Sequence, residues 1–172
     1  MVEKGLADHG WSYINIDDGW QGRRGGRYNA IQPNKKFPDM AALTREIHDM
    51  GLRVGIYSTP WIGTYAAHIG SYSDNPDGVN EWIKKGRHNE HYRYQKEGGN
   101  YWKDRTEVWH LGPYSFVEAD VKQWGEWGID YLKYDWNPLD YYHVKEMHDA
   151  LRTLDRDVVY SLSNSAPYGD AP

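Results

Sequence analysis

A lysine and an aspartate lie two residues apart in the run DYLKYDWNP (residues 130–138), which has the apolar and aromatic density of a β-strand. Side chains alternate between the two faces of a strand, so Lys133 and Asp135 point the same way. A nearby cation favours the ionised form of a carboxyl group, and an aspartate held as a carboxylate can act as a nucleophile. A purely structural ion pair between Lys133 and Asp135 gives the same pattern, so the run alone leaves both interpretations open.

Two further carboxyl groups are adjacent, at Asp17 and Asp18, at the end of the predicted strand SYINIDD (residues 12–18). Neighbouring residues of a strand face opposite ways, so only the twist at the strand end can bring both groups to one ligand. Paired carboxylates can bind sugar hydroxyls, coordinate a metal ion or transfer protons. The alternative is that each aspartate only caps the loop that follows.

Other catalytic chemistries find less support in the sequence. The chain has eight histidines but no H-x-H or H-E-x-x-H motif at a predicted strand end, and it has no cysteine, so no metal site is expected. A G-x-S-x-G motif, which carries the nucleophile of many serine hydrolases, is also absent from the sequence. No cofactor is predicted.

Composition narrows the class of partner. The 25 acidic and 20 basic residues give a net charge of −5 without a basic stripe, so nucleic acid is not an expected partner. No apolar run approaches the roughly 20 residues of a membrane span, so a membrane is not expected either. The chain has 9 Trp and 15 Tyr beside 2 Phe. Aromatic rings with a polar edge suit sugar faces, but on composition alone ordinary core and loop packing is the favoured explanation.

The elements that must position these side chains alternate between helix and strand. The sequence predicts strands over residues 12–18, 53–58, 130–136 and 157–162. It predicts helices over residues 1–8, 39–50, 115–127 and 140–154. A Gly- and Arg-rich loop is predicted at residues 19–29. The connection over residues 59–114 is too long for a plain loop, and such segments are usually functional or disordered.

Strict alternation indicates right-handed βαβ units and a parallel sheet. A doubly wound sheet normally carries a glycine-rich phosphate loop after its first strand, and none of those fingerprints occurs. A (β/α)₈ barrel needs polar strand ends instead, and they are present at Asp17 and Asp18, Tyr57 and Ser58, Lys133 and Asp135, and Ser163 and Asn164. The predicted fold class is therefore α/β, a partial (β/α)₈ TIM barrel of about four βα units within one domain, residues 1–172.

Four blocks of the sequence together resemble glycoside hydrolase family 27, the α-galactosidases or melibiases. The blocks are YINIDDGW (13–20), FPDMAALTREIHDMGLRVGIYS (37–58), DVKQWGEWGIDYLKYDW (120–136) and RDVVYSLS (156–163). They follow the family's order. The resemblance implies a retaining α-glycosidase on a (β/α)₈ barrel with a C-terminal β-sandwich. It further implies that an oligosaccharide or glycoside with a terminal α-D-galactose is the substrate and that no metal is required.

The resemblance also implies roles for individual residues. Asp135 matches the family's nucleophile, and Lys133 matches a lysine that contacts the sugar. Asp17 and Asp18 match an aspartate pair that hydrogen-bonds the galactose hydroxyls, and Tyr57 matches a tyrosine that lines the pocket.

The sequence departs from the family pattern in three places. Gly19 and the Trp136-Asn137 pair occupy positions where cysteines of a disulfide are common, so that disulfide is missing. The loop after Tyr57 is longer than usual. After the fourth strand, Ser163 and Ala166 stand where typical galactosidases of the family have a glutamate and a bulky residue. In the family's N-acetylgalactosaminidases both positions carry small side chains, which leave room for an acetamido group. An α-N-acetylgalactosaminidase or a related α-glycosidase is therefore the alternative within the family.

Retaining hydrolysis also needs a second carboxylic acid about 5–5.5 Å from the nucleophile. In the family this acid lies well beyond the nucleophile in the sequence and follows an arginine. Asp170 is the only candidate near the end of this sequence, and it lies too few residues after Asp135 to match. The expectation is a fragment of the catalytic domain that lacks the first strand, the acid/base, the later strands and the β-sandwich. This fragment is expected to be inactive alone and to come from a periplasmic or secreted protein. A noncatalytic carbohydrate-binding protein is the alternative of another class.

Overall fold

The computed structural model describes residues 1–66, 68–79, 112–136 and 139–163. Within these ranges the strands are β1 (Tyr13–Ile16), β2 (Gln21–Gly25), β3 (Ala30–Pro33), β4 (Arg53–Ser58), β5 (Tyr72–Ser73), β6 (Tyr114–Ser115), β7 (Tyr131–Asp135) and β8 (Val159–Ser163). The α-helices are α1 (Met40–Asp49), α2 (Val117–Trp127) and α3 (Tyr141–Leu151). None of the helices in these ranges is both long and apolar enough to cross a bilayer.

The central sheet has four parallel strands in the order β1-β4-β7-β8. Each new strand is added to the same edge, so right-handed crossovers carry their helices over one face of the sheet. A doubly wound sheet instead reverses its strand order at a switch point and has helices on both faces. Helix α2 accordingly packs between α1 and α3. The prediction of a partial (β/α)₈ barrel is confirmed.

The core lies between this sheet and the helices. On β7, Leu132 and Tyr134 are completely buried and face the helices, as does Trp136 just past the strand. The helices contribute buried Val121, Trp124 and Met147 among others. At about 25 cal/mol per Å², burial of such large apolar side chains is the main force that holds the helices on the sheet. One face of β7 is thus apolar and packed, as the alternating pattern predicts.

Local signals define the helix ends. Asp39 begins α1 by accepting a 2.8 Å hydrogen bond from the Ala42 N–H, and Asp140 does the same for α3 from the His143 N–H at 3.0 Å. Helix α2 is capped at its C-terminus by Gly128, whose left-handed φ of 84° favours glycine. The predicted helices over 39–50, 115–127 and 140–154 are confirmed to within three residues at each end, and the four predicted strands are also present.

Two sequence predictions outside the sheet are wrong. The predicted helix over residues 1–8 is two short 3₁₀ turns, Val2–Lys4 and Ala7–His9, because Gly5 adopts a left-handed conformation with φ 68° between them. The predicted loop at residues 19–29 is largely an antiparallel hairpin of β2 and β3. Its stability comes from contacts with distant residues, which the local composition does not reveal. The long connection 59–114 is described in part and contains β5, which pairs with β6.

The edges of the sheet lead to a prediction about the 172-residue chain made alone. Among the described residues, β1 and β8 each pair with a single neighbour, and Val159 and Leu162 of β8 are 46% and 39% exposed. Unpaired strand edges beside apolar side chains promote association. We expect size-exclusion chromatography to show dimers or aggregates. A monodisperse monomer with a cooperative melting transition would contradict this expectation.

Candidate active site

The parallel register brings polar side chains from neighbouring strands into one row. Tyr57 of β4 pairs with Lys133 of β7, and Lys133 pairs with Ser161 of β8. Asp17 directly follows β1, where continuation of the register places it beside Tyr57. Paired residues of a parallel sheet point to the same face, and for this row it is the face opposite the helices. In a barrel that face is the interior, and the C-terminal strand ends carry the active site.

Lys133 and Asp17 form an ion pair across this row. The Lys133 Nζ lies 3.0 Å and 3.2 Å from the two carboxylate oxygens of Asp17, and the side chains are 33% and 67% exposed. Partial burial alone would raise the pKa of Asp17, but the hydrogen bond from the Asp18 N–H and the Lys133 ammonium together lower it below its usual value. Asp17 is therefore a carboxylate at neutral pH. The ion pair that the sequence suggested between Lys133 and Asp135 is found here between Lys133 and Asp17.

Asp135 is held instead by a tyrosine. The Tyr57 hydroxyl donates a 3.1 Å hydrogen bond to Asp135 Oδ2. Tyr57 is 1% exposed, and its pKa is raised above the usual range by burial and then by the charge of Asp135, so it stays a neutral donor. The Lys133 Nζ lies 5.0 Å from the centre of the same tyrosine ring. Tyr57 thus contacts both charged side chains of β7, Asp135 through its hydroxyl and Lys133 through its ring.

Two side chains that follow β1 in the sequence hold the backbone of Tyr57 by hydrogen bonds. The Trp20 indole N–H donates to the Tyr57 carbonyl at 2.8 Å, and the Gln21 side-chain amide donates to the same oxygen at 3.2 Å. Both donors are nearly completely buried. The strand end that carries the Tyr57 hydroxyl is therefore held by two buried hydrogen bonds.

Asp18 points to a different part of the chain from Asp17. Its Oδ2 accepts a 2.6 Å hydrogen bond from the Ala66 N–H, in the segment that follows β4. Burial raises the pKa of Asp18, although Thr64, the Ala66 N–H and His68 each oppose the shift. The two adjacent carboxyl groups thus differ in environment, as the alternation along a strand implies. Asp18 joins the long connection after β4 to the row of strand-end residues.

The remaining predicted site residues lie on or beyond β8. Ser163 pairs in register with Asp135 and shares its face of the sheet. Ala166 lies outside the described residues, as does Asp170. Ser161 belongs to the same row as Lys133 and was missed by the sequence analysis, although its spacing of two residues from Ser163 could have indicated it.

The arrangement can bind a ligand with many hydroxyl groups. Asp17 and Asp18 accept hydrogen bonds, Lys133 donates them, and Tyr57 orients the Asp135 carboxylate. A carboxylate that is positioned by a neutral donor at a strand end is suited to act as a nucleophile.

Comparison with known proteins finds α-galactosidases over most of the chain. The family model described as "Alpha galactosidase A" matches residues 1–83. The "Probable alpha-galactosidase B" of Neosartorya fischeri is 33% identical over 95% of this chain. "Alpha-galactosidase A" of Cellvibrio japonicus is 31% identical over 94% of the chain. The crystal structure of α-galactosidase I from Mortierella vinacea superimposes with a TM-score of 0.64 at 25% identity over 95% of the chain.

The matched part of each relative is limited. The chain spans about a third of the length of these proteins: 37% of the N. fischeri protein, 31% of the C. japonicus protein and 33% of the M. vinacea structure. The matches nevertheless agree with one another, since the family model, the two relatives and the solved structure are all described as α-galactosidases. The chain therefore belongs to glycoside hydrolase family 27, the α-galactosidase or melibiase family.

Proposed function

We propose that this chain forms part of a retaining α-glycosidase that hydrolyses terminal α-D-galactosides. The observation that carries the proposal is the Asp135 carboxylate at the end of β7, hydrogen-bonded by the buried Tyr57 at 3.1 Å. The names of the relatives support galactose as the sugar.

Five residues of the candidate site have a part in the proposed reaction. Asp135 attacks the anomeric carbon, the bond to the leaving oxygen breaks, and a covalent glycosyl-enzyme forms. A second carboxylic acid protonates the leaving oxygen and then removes a proton from the water that releases the sugar. Lys133 donates hydrogen bonds to the sugar hydroxyls, while Asp17 and Asp18 accept hydrogen bonds from them. Tyr57 holds the nucleophile in the orientation for attack.

We also propose that residues 1–172 are part of a single (β/α)₈ catalytic barrel. The acid/base, the later strands and a C-terminal β-sandwich then belong to the rest of a longer protein. The sequential order of the four strands and the limited share of each relative that the chain matches support this proposal.

The test is an assay of the complete protein with an aryl α-galactoside. Turnover that releases α-galactose first, observed by NMR before mutarotation, supports a retaining enzyme. A fluorinated galactoside that forms a slow covalent intermediate should label the peptide that contains Asp135. If the protein binds galactose without turnover and takes up no label, the noncatalytic carbohydrate-binding alternative is correct.

A second candidate specificity comes from Ser163. This small side chain lies beside Asp135 in the register, on the face of the site, where a glutamate would fill more space. We expect the complete enzyme to accept aryl α-N-acetylgalactosaminide as well as aryl α-galactoside, and Ser163→Glu to suppress the first activity selectively. A wild-type preference for the galactoside above about 10⁴-fold in kcat/KM would mean that the site rejects the acetamido group.

A further inference from the structure

A buried tryptophan directly follows the proposed nucleophile. Trp136 is 1% exposed and projects toward the helices, opposite to Asp135. Its indole N–H donates a 3.1 Å hydrogen bond to Asp140 Oδ2. Because Trp136 and Asp135 share a peptide bond, the buried and hydrogen-bonded indole restricts the backbone from which the nucleophile projects.

Asp140 uses its carboxylate for three hydrogen bonds at once. As the N-cap of α3 it accepts from the His143 N–H at 3.0 Å, and its Oδ1 lies 2.7 Å from the His143 Nδ1. The third bond comes from Trp136. Although partial burial alone would raise the pKa of Asp140, the bonds from His143 and Trp136 bring it below its usual value. Asp140 is therefore ionised at neutral pH, and the His143 Nδ1 must carry the proton in this contact.

The surrounding rings restrict the tryptophan and the histidine. Trp136 packs edge-on against Tyr134, with ring centroids 5.1 Å apart, and its ring centroid lies 6.5 Å from that of His143. His143 in turn packs edge-on against Tyr72 of β5 at 5.3 Å. Asp140 thus links Trp136 to the start of α3. Through His143 and Tyr72 it also links Trp136 to the long connection after β4.

We infer that Asp140 is a positioning residue for Asp135, acting through the Trp136 indole. This inference rests on the proposed function. A carboxylate that attacks carbon must be placed to within a fraction of an ångström, and a misplacement of about 1 Å can cost about 10²-fold in rate. The Asp140–Trp136 hydrogen bond supplies this placement from the face of β7 opposite the substrate. It acts on the chemical step without a contact to the sugar.

The decisive variant is Asp140→Asn in the complete enzyme. Asparagine is as good an N-cap as aspartate, so the bond from the His143 N–H survives. With the side-chain oxygen held by that bond, the amide group faces the Trp136 N–H, and two donors then oppose each other. We expect kcat to fall about 10-fold, with KM changed by less than about twofold, because an interaction that acts in the transition state is lost.

Two further variants separate positioning from general damage. Trp136→Phe keeps most of the aromatic packing but removes the N–H, so it should lower kcat by a similar factor. The double variant should be no slower than the worse single variant, because both changes break the same hydrogen bond. Asp39→Asn is the matched control: Asp39 caps α1 with the same geometry and is exposed. It should leave kcat and KM unchanged.

A spectroscopic measurement tests the hydrogen bond without any assay. The indole ¹H–¹⁵N resonance that disappears in Trp136→Phe should shift in Asp140→Asn and stay in place in Asp39→Asn. If the wild-type enzyme is active and Asp140→Asn keeps full kcat, the positioning role is wrong while the proposed function stands. The same conclusion follows if the losses of the two single variants multiply in the double variant. A wild-type protein that hydrolyses no α-glycoside overturns the proposed function, and the positioning role with it.

Discussion

Replacing Asp135 with alanine is expected to lower kcat/KM of the complete enzyme by at least about 10⁴-fold, because the covalent intermediate can no longer form. Tyr57 stays a neutral donor and the Asp17 carboxylate is paired with Lys133, so we expect neither of them to substitute for the missing carboxylate. Azide is small enough to occupy the vacated space and attack in its place. We expect added azide to restore part of the activity and to give a β-galactosyl azide product.

The matched control for this variant is Asp149→Ala. Asp149 is an exposed carboxylate of α3 that forms a surface ion pair with Lys145, and it has no place in the site. It should retain wild-type activity, since exposed ion pairs contribute little. An Asp135→Ala enzyme with even a tenth of the wild-type rate would show that the nucleophile is another residue.

Replacing Arg24 with methionine is expected to lower the free energy of unfolding of the complete protein by about 3–5 kcal/mol. The Arg24 guanidinium contacts both carboxylate oxygens of Asp120 at 2.5 Å and 3.0 Å, with side-chain exposures of 2% and 0%. It also donates to the Gly70 carbonyl at 2.6 Å, and Asp120 accepts from the Ile31 N–H at 2.9 Å. Methionine keeps the apolar stem but leaves the Asp120 charge buried without its cation.

Arg27→Met provides the comparison on the same hairpin. Arg27 lies 3.5 Å from Glu126, and these side chains are 78% and 46% exposed, so its loss should change stability by less than about 1 kcal/mol. Denaturant titration followed by circular dichroism measures both variants. The double variant Arg24→Met, Asp120→Leu should recover part of the loss, because no unpaired charge remains. Equal effects at Arg24 and Arg27 would contradict the proposed importance of burial.

Local patterns predicted most of the sheet and its helices. The alternation along residues 130–136 placed Lys133 and Asp135 on one face and Leu132 and Tyr134 on the other, and the structure has them so. Apolar periodicity, N-cap aspartates and terminal glycines located the helices, because those signals act within a few residues of the chain. The same short-range rules predicted that polar residues end each parallel strand.

Short-range rules failed wherever the stabilising contact is remote. In the hairpin of β2 and β3, the buried Arg24 is paired with Asp120, 96 residues away. Local sequence patterns cannot show such a remote contact, so they predict a loop there. The helix predicted over residues 1–8 is broken at Gly5, whose left-handed conformation outweighs the helical propensity around it.

The sequence by itself determined the type of fold and the residues that meet at the strand ends. Hydrophobic period and strand order follow from local backbone geometry and from the handedness of βαβ crossovers. Only the tertiary structure decided how those residues pair: Lys133 with Asp17, Tyr57 with Asp135, and Asp18 with the Ala66 N–H. These partners come from different strands and loops, and their distances depend on sheet register and loop packing, which sequence spacing does not encode.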